Sequence, residues 1–334
     1  MKNERLSISS AVDGAQRPAV GGMLSGSLFS PTMGAAAATL IGILAPILWG
    51  MRTGLTRGIV EDFGLAAGQF ILYAFSTVVL FCIVGIPNLK RVPKRYLFFA
   101  MPLAPLTAIA FAFAIYFSEG GRQTLEAAMV NYLWPTLTVL FAHFLLGAPA
   151  RWMVWPGMLA AFAGVVTLMS GDAGFSFSGF VERAASNPLA YGCTLVSATA
   201  WSLHSVLTRK WAEGTNLCTV VFAIQTVFYG ILWLWGGIEA PAQVTPRGIA
   251  SVVLGGIALG FAYAAWTQGM LRGRVTLLAI ASYCTPVIAT VFGIFWLDIT
   301  LSASFWIGVA LIVAGQTACS IGSRPKSPSG KEDQ

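Results

Sequence analysis

The sequence predicts an all-α integral membrane protein of ten transmembrane helices, arranged as two inverted five-helix repeats. Three observations carry that expectation. Of 334 residues, 56% are apolar and only 10% charged, against about 25% charged in an average soluble domain. The apolar residues fall into ten runs of roughly the length that crosses a bilayer as a helix. A near-constant shift then superposes the second five runs on the first, the mark of an internal repeat.

The runs lie at 35–53, 65–86, 96–117, 124–146, 152–170, 188–208, 216–236, 248–270, 275–297 and 303–321. Residues 1–33, rich in Ser, Gly, Pro and scattered charge, read as a disordered tail, and 323–334 as a second. No secretory signal is evident, because the first apolar run begins near Gly34. Pro156 and Pro188 fall early in their runs, where a missing N–H does little harm. The longest polar connection lies at 172–187 and divides the runs into 34–171 and 188–322.

Fifteen of the twenty Lys and Arg residues fall in one alternating set of segments, which includes both tails. The other set holds Arg52, Arg57, Arg122, Arg183 and Arg247. Basic residues accumulate on the cytoplasmic side, so both termini are expected inside. This also accounts for the net charge of +7 without invoking nucleic acid. The five cysteines all sit in apolar runs and suggest no disulfide framework.

A shift of 151 carries Ala128, Tyr132, Pro135, Phe141 and Phe144 onto Ala279, Tyr283, Pro286, Phe292 and Phe295. The same shift carries Trp155, Gly157 and Gly164 onto Trp306, Gly308 and Gly315. A shift of 152 carries Trp49 and Arg57 onto Trp201 and Arg209. Five spans is an odd number, so the second half starts on the opposite side of the membrane. Secondary transporters are built this way, with a substrate site near the midplane.

The fourth and ninth runs carry Pro135 and Pro286 near their middles. Each proline deprives the carbonyl four residues back, on Asn131 or Ser282, of its helical partner. Such acceptors inside a bilayer must meet protein, water or ligand. Both prolines are therefore candidate hinges or fixed kinks. Asn131 shares a face with Pro135 and is the best single polar contact, or else a bond to a neighbouring helix. Tyr132 and Tyr283 read as aromatic walls or as packing. On the sixth run, Trp201 and His204 are one turn apart on one face. They line a central cavity, with Trp49 on the matching first run, or they serve helix contacts. Tyr263 and Trp266 share a face near the end of the eighth run, and for Trp266 a membrane-interface role is the plainer reading.

No Asp, Glu, Lys or Arg reads as central in any run. That argues against a permanently anionic cargo and leaves no carboxylate for proton coupling. No metal-ligand spacing, phosphate-binding glycine loop or catalytic triad is present, so neither an enzyme nor a cofactor is expected. An uncharged, polar and aromatic cavity suits a neutral or zwitterionic molecule with a large ring.

Two five-span halves with prolines in spans four and nine resemble the drug/metabolite transporter superfamily. The Asn131–Pro135 run (NYLWP) and the surroundings of Trp201 more narrowly resemble the YddG-type bacterial exporters of aromatic amino acids. The resemblance covers about residues 34–322. It implies inner-membrane export of Phe, Trp, Tyr and similar compounds by alternating access. It also implies hinges at Pro135 and Pro286 and a cavity lined by Trp49, Asn131, Trp201, His204, Tyr263 and Tyr283. Other small neutral metabolites or drugs remain the alternative cargo, and a non-transporting receptor or scaffold the alternative class. No residue is assigned to a substrate carboxylate.

Overall fold

The computed structural model describes residues 33–212, 216–236 and 244–323. Both predicted tails, apart from Met33 and Ser323, lie outside the described residues. Thirteen α-helices are present among those described: α1 (Ala35–Phe63), α2 (Leu65–Ile83), α3 (Leu103–Phe117), α4 (Gly120–Asn131), α5 (Trp134–Leu146), α6 (Val154–Met169), α7 (Phe177–Ser186), α8 (Pro188–Trp211), α9 (Cys218–Trp235), α10 (Pro246–Arg272), α11 (Val275–Tyr283), α12 (Thr285–Leu297) and α13 (Ala303–Gly322). A π-helical turn, Tyr96–Ala100, leads into α3.

Among the described residues, seven segments are long and apolar enough to cross a membrane: Ala35–Phe63, Leu65–Ile83, Tyr96–Phe117, Gly120–Leu146, Cys218–Trp235, Pro246–Met270 and Ala303–Gly322. The shortfall from ten has local causes. Val154–Met169 and Thr285–Leu297 are apolar but short. The helix α8 is long but carries Thr194, Ser197, Ser202, His204, Ser205 and Thr208 before its basic end.

Helix ends follow the sequence closely. Asn187, Thr245 and Ser302 accept from backbone N–H groups at the starts of α8, α10 and α13. This satisfies donors that a first turn leaves free. Pro188 and Pro246 sit at the first positions, where no N–H is needed. The helix α5 closes on Gly147 in the left-handed conformation and α12 closes likewise on Asp298. Both pairs of bounds, Trp134–Leu146 and Thr285–Leu297, differ by 151 residues, the shift read from the sequence.

The connection expected at 172–187 contains a helix of its own, α7. Its Arg183 reaches 2.8 Å to a buried carboxylate, Glu126 of α4. Burial opposes the Arg183 charge, but the Glu126 carboxylate outweighs it and raises the guanidinium pKa above its ordinary value.

The main helix pairs are α1 with α10, α6 with α13, α3 with α8, and α2 with α9. At the α6–α13 seam backbone meets backbone. A Cβ on Gly164 would lie 2.6 Å from the Gly308 carbonyl oxygen, and one on Gly315 would lie 2.5 Å from the Ala161 nitrogen. Only glycine lets backbones approach so far, and such approach is a main source of helix affinity in lipid.

One end of the bundle is closed by charge and packing. Arg57 donates to the carbonyls of Ile115 and Ser118 and pairs with Glu61, which also holds Arg247. At the same end α4 and α12 pack together, with Leu125 against Gly293. The helix α4 buries every residue from Gln123 to Val130, whereas α5 buries only Thr136.

Candidate functional site

Both proline runs break rather than merely bend. The helix α4 stops at Asn131, and α5 restarts at Trp134 with Pro135 in its first turn. The helix α11 stops at Tyr283, and α12 restarts at Thr285 with Pro286 in its first turn. A proline in a first turn lacks only an N–H that would be unpaired there anyway, so the restart relieves the loss at each proline.

The side chains of Gln316 and Ser202 brace the first break. Gln316 donates to the Tyr132 carbonyl, and Ser202 donates to the Trp134 carbonyl at 2.8 Å. Protein thus supplies partners to two carbonyls of this break.

The two breaks meet at one cavity. It is lined by Trp49, Arg52 and Thr53 of α1, Thr107 and Phe111 of α3, and Asn131, Tyr132, Trp134 and Pro135 at the first break. Trp201 of α8, Tyr263 of α10, Ser282, Thr285 and Pro286 at the second break, and Gln316 of α13 complete it. Of the sequence-derived candidates, Trp49, Asn131, Tyr132, Trp201, Tyr263, Pro135 and Pro286 come together here.

His204 does not line this cavity. Its ring packs 5.5 Å behind that of Trp201, and Nδ1 lies 2.9 Å from the Ala100 carbonyl oxygen in the π-helical turn. That bond fixes the ring against the next helix, which is the helix-contact reading of this residue. Tyr283 is half-buried and also falls outside the lining, although its neighbour Ser282 belongs to it. Adjacent helical positions point about 100° apart, and on α11 it is Ser282 rather than Tyr283 that faces the cavity.

The wall is aromatic and ordered. Trp49 meets Tyr263 with centroids 5.4 Å apart, Tyr263 meets Trp201 at 6.3 Å, and Trp201 meets Trp134 at 6.3 Å, all edge-on. Edge-to-face pairs hold each ring's orientation. Trp266 backs Trp49 at 5.2 Å. This places Trp266 against the wall, where the sequence favoured a membrane-interface role. Two polar atoms at the cavity are left over. Nε1 of Trp49 and Oδ1 of Asn131 are buried without a hydrogen-bond partner among the described residues. Buried polar atoms are costly unless something bonds them.

Arg52 corrects the sequence reading. The expectation ended the first span at residue 53 and counted Arg52 among loop residues. Instead α1 runs unbroken to Phe63, with Trp49 at its midpoint and Arg52 one turn further on. The guanidinium lies over Phe111, 4.7 Å from the ring centroid, and Nη2 is 3.5 Å from the Tyr73 hydroxyl, at the outer limit of a hydrogen bond. A cation therefore does line the cavity. Its spacing of three from Trp49 was the available signal, since such residues share a helix face.

The comparisons with known proteins agree with this class. Residues 188–320 match the EamA-like transporter family. The chain is 36% identical to "Aromatic amino acid exporter YddG" of Salmonella typhimurium, over 86% of this chain and 98% of that protein. It is 35% identical to the Escherichia coli protein of the same name, with the same coverage. A protein of that name from Ancylobacter novellus is 30% identical, over 87% of this chain and 100% of its own. A solved crystal structure superposes over 87% of this chain and 98% of its own, with a TM-score of 0.59 at 25% identity. A match over nearly the whole length of these relatives, with many apolar helices around one cavity, identifies a multi-pass membrane transporter: the chain belongs to the EamA-like transporter family, beside the YddG exporters.

Proposed function

We propose that this chain exports aromatic amino acids across the bacterial inner membrane by alternating access, through the cavity between the two breaks. The observation that carries the reading is the edge-to-face wall of Trp49, Tyr263, Trp201 and Trp134 beside two unpartnered polar atoms. Such a wall offers π faces to a large ring, and Asn131 Oδ1 offers an acceptor to its ammonium group.

The architecture proposed is ten membrane helices in two inverted repeats, 34–171 and 188–322, joined by 172–187. Contacts support it. The helix α1 packs on α10, α11 and α12, just as its counterpart α8 packs on α3, α4 and α5. With both termini cytoplasmic, the end closed by Arg57, Glu61 and Arg247 lies on the outer side of the inner membrane. The described form then faces inward, with the loosely packed α5 on the cytoplasmic side. Moving Arg52 into the membrane leaves four basic residues on the outer side and sharpens the orientation. Pro135 and Pro286 mark the joints about which half-helices tilt.

Uptake into liposomes holding the purified protein tests the cargo. Labelled Trp and Phe are expected to enter, Ala more slowly and Lys not at all. Asn131→Ala is expected to slow Trp roughly tenfold, the scale of one hydrogen bond to a charged group. Lys entering as fast as Trp, or no amino acid entering, contradicts the reading.

Coupling is a separate expectation. The cavity lining contains no carboxylate among the described residues, and His204 stands behind the wall. Export then runs down the substrate gradient. An imposed proton gradient is expected to produce no accumulation of Trp above its equilibrium level. Accumulation that disappears in His204→Asn would instead make His204 the proton carrier.

A further inference from the structure

Export of an amino acid leaves one group without a partner, the carboxylate, and the cavity contains one group without a counter-ion, Arg52. Arg57, Arg122, Arg183 and Arg247 each face a carboxylate. Arg52 faces no carboxylate among the described residues. Its described contacts are a ring face and a phenolic oxygen at 3.5 Å. Neither neutralises a guanidinium, and a charge inside a membrane helix is expensive unless function keeps it.

Its position is specific. Arg52 and Trp49 are one turn apart on α1 and both line the cavity. The unpartnered Oδ1 of Asn131 belongs to the same lining. The cavity therefore presents an aromatic wall, a planar cation and a bare acceptor. These are complementary to the ring, the carboxylate and the ammonium of one molecule. Phe111 beneath the guanidinium limits its orientation, as stacked arginines are limited on aromatic faces.

We infer that Arg52 binds the α-carboxylate of the transported amino acid and makes the carboxylate, as well as the ring, a condition of transport. This rests on the reading of the cavity as an aromatic amino acid site. It changes the specificity expected of the protein: aromatic amines lacking a carboxylate are poor ligands, and aromatic acids lacking the amine still compete.

The test is competition against labelled Trp in liposomes, using indole-3-propionate, which lacks the amine, and tryptamine, which lacks the carboxylate. In the wild type, indole-3-propionate is expected to inhibit at about threefold lower concentration than tryptamine, because a carboxylate contact of about 30-fold outweighs the ammonium contact of about tenfold that it lacks. In Arg52→Gln, the KM for Trp is expected to rise about 30-fold and the order of the two inhibitors to reverse. Arg52→Lys keeps the charge without the bidentate fork and is expected to fall between. Tryptamine inhibiting as well as indole-3-propionate in the wild type overturns the anchor, whether or not Arg52→Gln folds. An unchanged KM in Arg52→Gln overturns it too, and leaves aromatic export standing. Failure of the wild type to take up Trp at all defeats the export reading itself.

Discussion

Gly315→Leu is expected to abolish the folded transporter. The Cβ at this position would lie 2.5 Å from the Ala161 nitrogen and 2.5 Å from the Gly157 carbonyl oxygen. These are backbone atoms, and no rotamer change moves them. The seam offers no slack elsewhere, since Gly164 and Gly308 each place a Cβ 2.6 Å from the other's carbonyl oxygen. The helices α6 and α13 must separate to admit the leucine. Ordinary overpacking costs about 1–3 kcal/mol, and separating a whole seam costs more. The damage reaches the cavity, because the adjacent residue Gln316 braces the Tyr132 carbonyl at the first break. The check is thermal unfolding in detergent, with chromatographic dispersity alongside. Gly315→Ala is expected to be intermediate. A wild-type melting temperature for Gly315→Leu would mean that the seam is not packed as described.

Glu126→Gln is the second large effect. This carboxylate is 1% exposed. It accepts from the Tyr191 hydroxyl at 2.7 Å, Arg183 Nε at 2.8 Å and Arg122 Nε at 3.3 Å. Together these tie α4 to α7 and α8. The amide keeps one acceptor oxygen but removes the charge that two guanidinium groups face. Breaking a buried ion pair from one side costs about 3–5 kcal/mol. Arg122, with 42% of its side chain exposed, is worth far less, about 1 kcal/mol or below. The order of destabilisation in thermal melts is therefore expected to be Glu126→Gln, then Arg183→Gln, then Arg122→Gln. Equal losses for Glu126→Gln and Arg122→Gln would show the carboxylate to be solvated.

The helical class, the two central prolines and their 151-residue offset were all legible, because each depends on local chemistry; that each proline run breaks into two helices rather than bending was not. Apolar runs, prolines and caps act within a few residues of themselves. The length of α1 was not legible from bilayer arithmetic. Arg57 and Glu61 belong to the same unbroken helix as Trp49, and only Gly64, with φ of 74°, ends it. Cutting that helix at residue 53 hid Arg52, and with it the one cation of the cavity. The fate of the carbonyls near Pro135 was also out of reach. Gln316 and Ser202 come from distant helices, 184 and 68 residues away from the carbonyls they bond. His204 and Tyr283 illustrate a finer limit. Each lies near lining residues in sequence, but the rotation of its helix aims it elsewhere, and that rotation is set by packing.

The central claim is that one cavity between the breaks holds the substrate and opens alternately to the two sides. Ser282→Cys, in a background where the five native cysteines are replaced, places a thiol in the cavity lining. Its rate of labelling by a membrane-impermeant reagent, added to each side of oriented vesicles in turn, is the most direct measurement. The account expects labelling from both sides and slowing of both rates by Trp but not by Lys. Labelling from one side only, or at rates that Trp leaves unchanged, would contradict it.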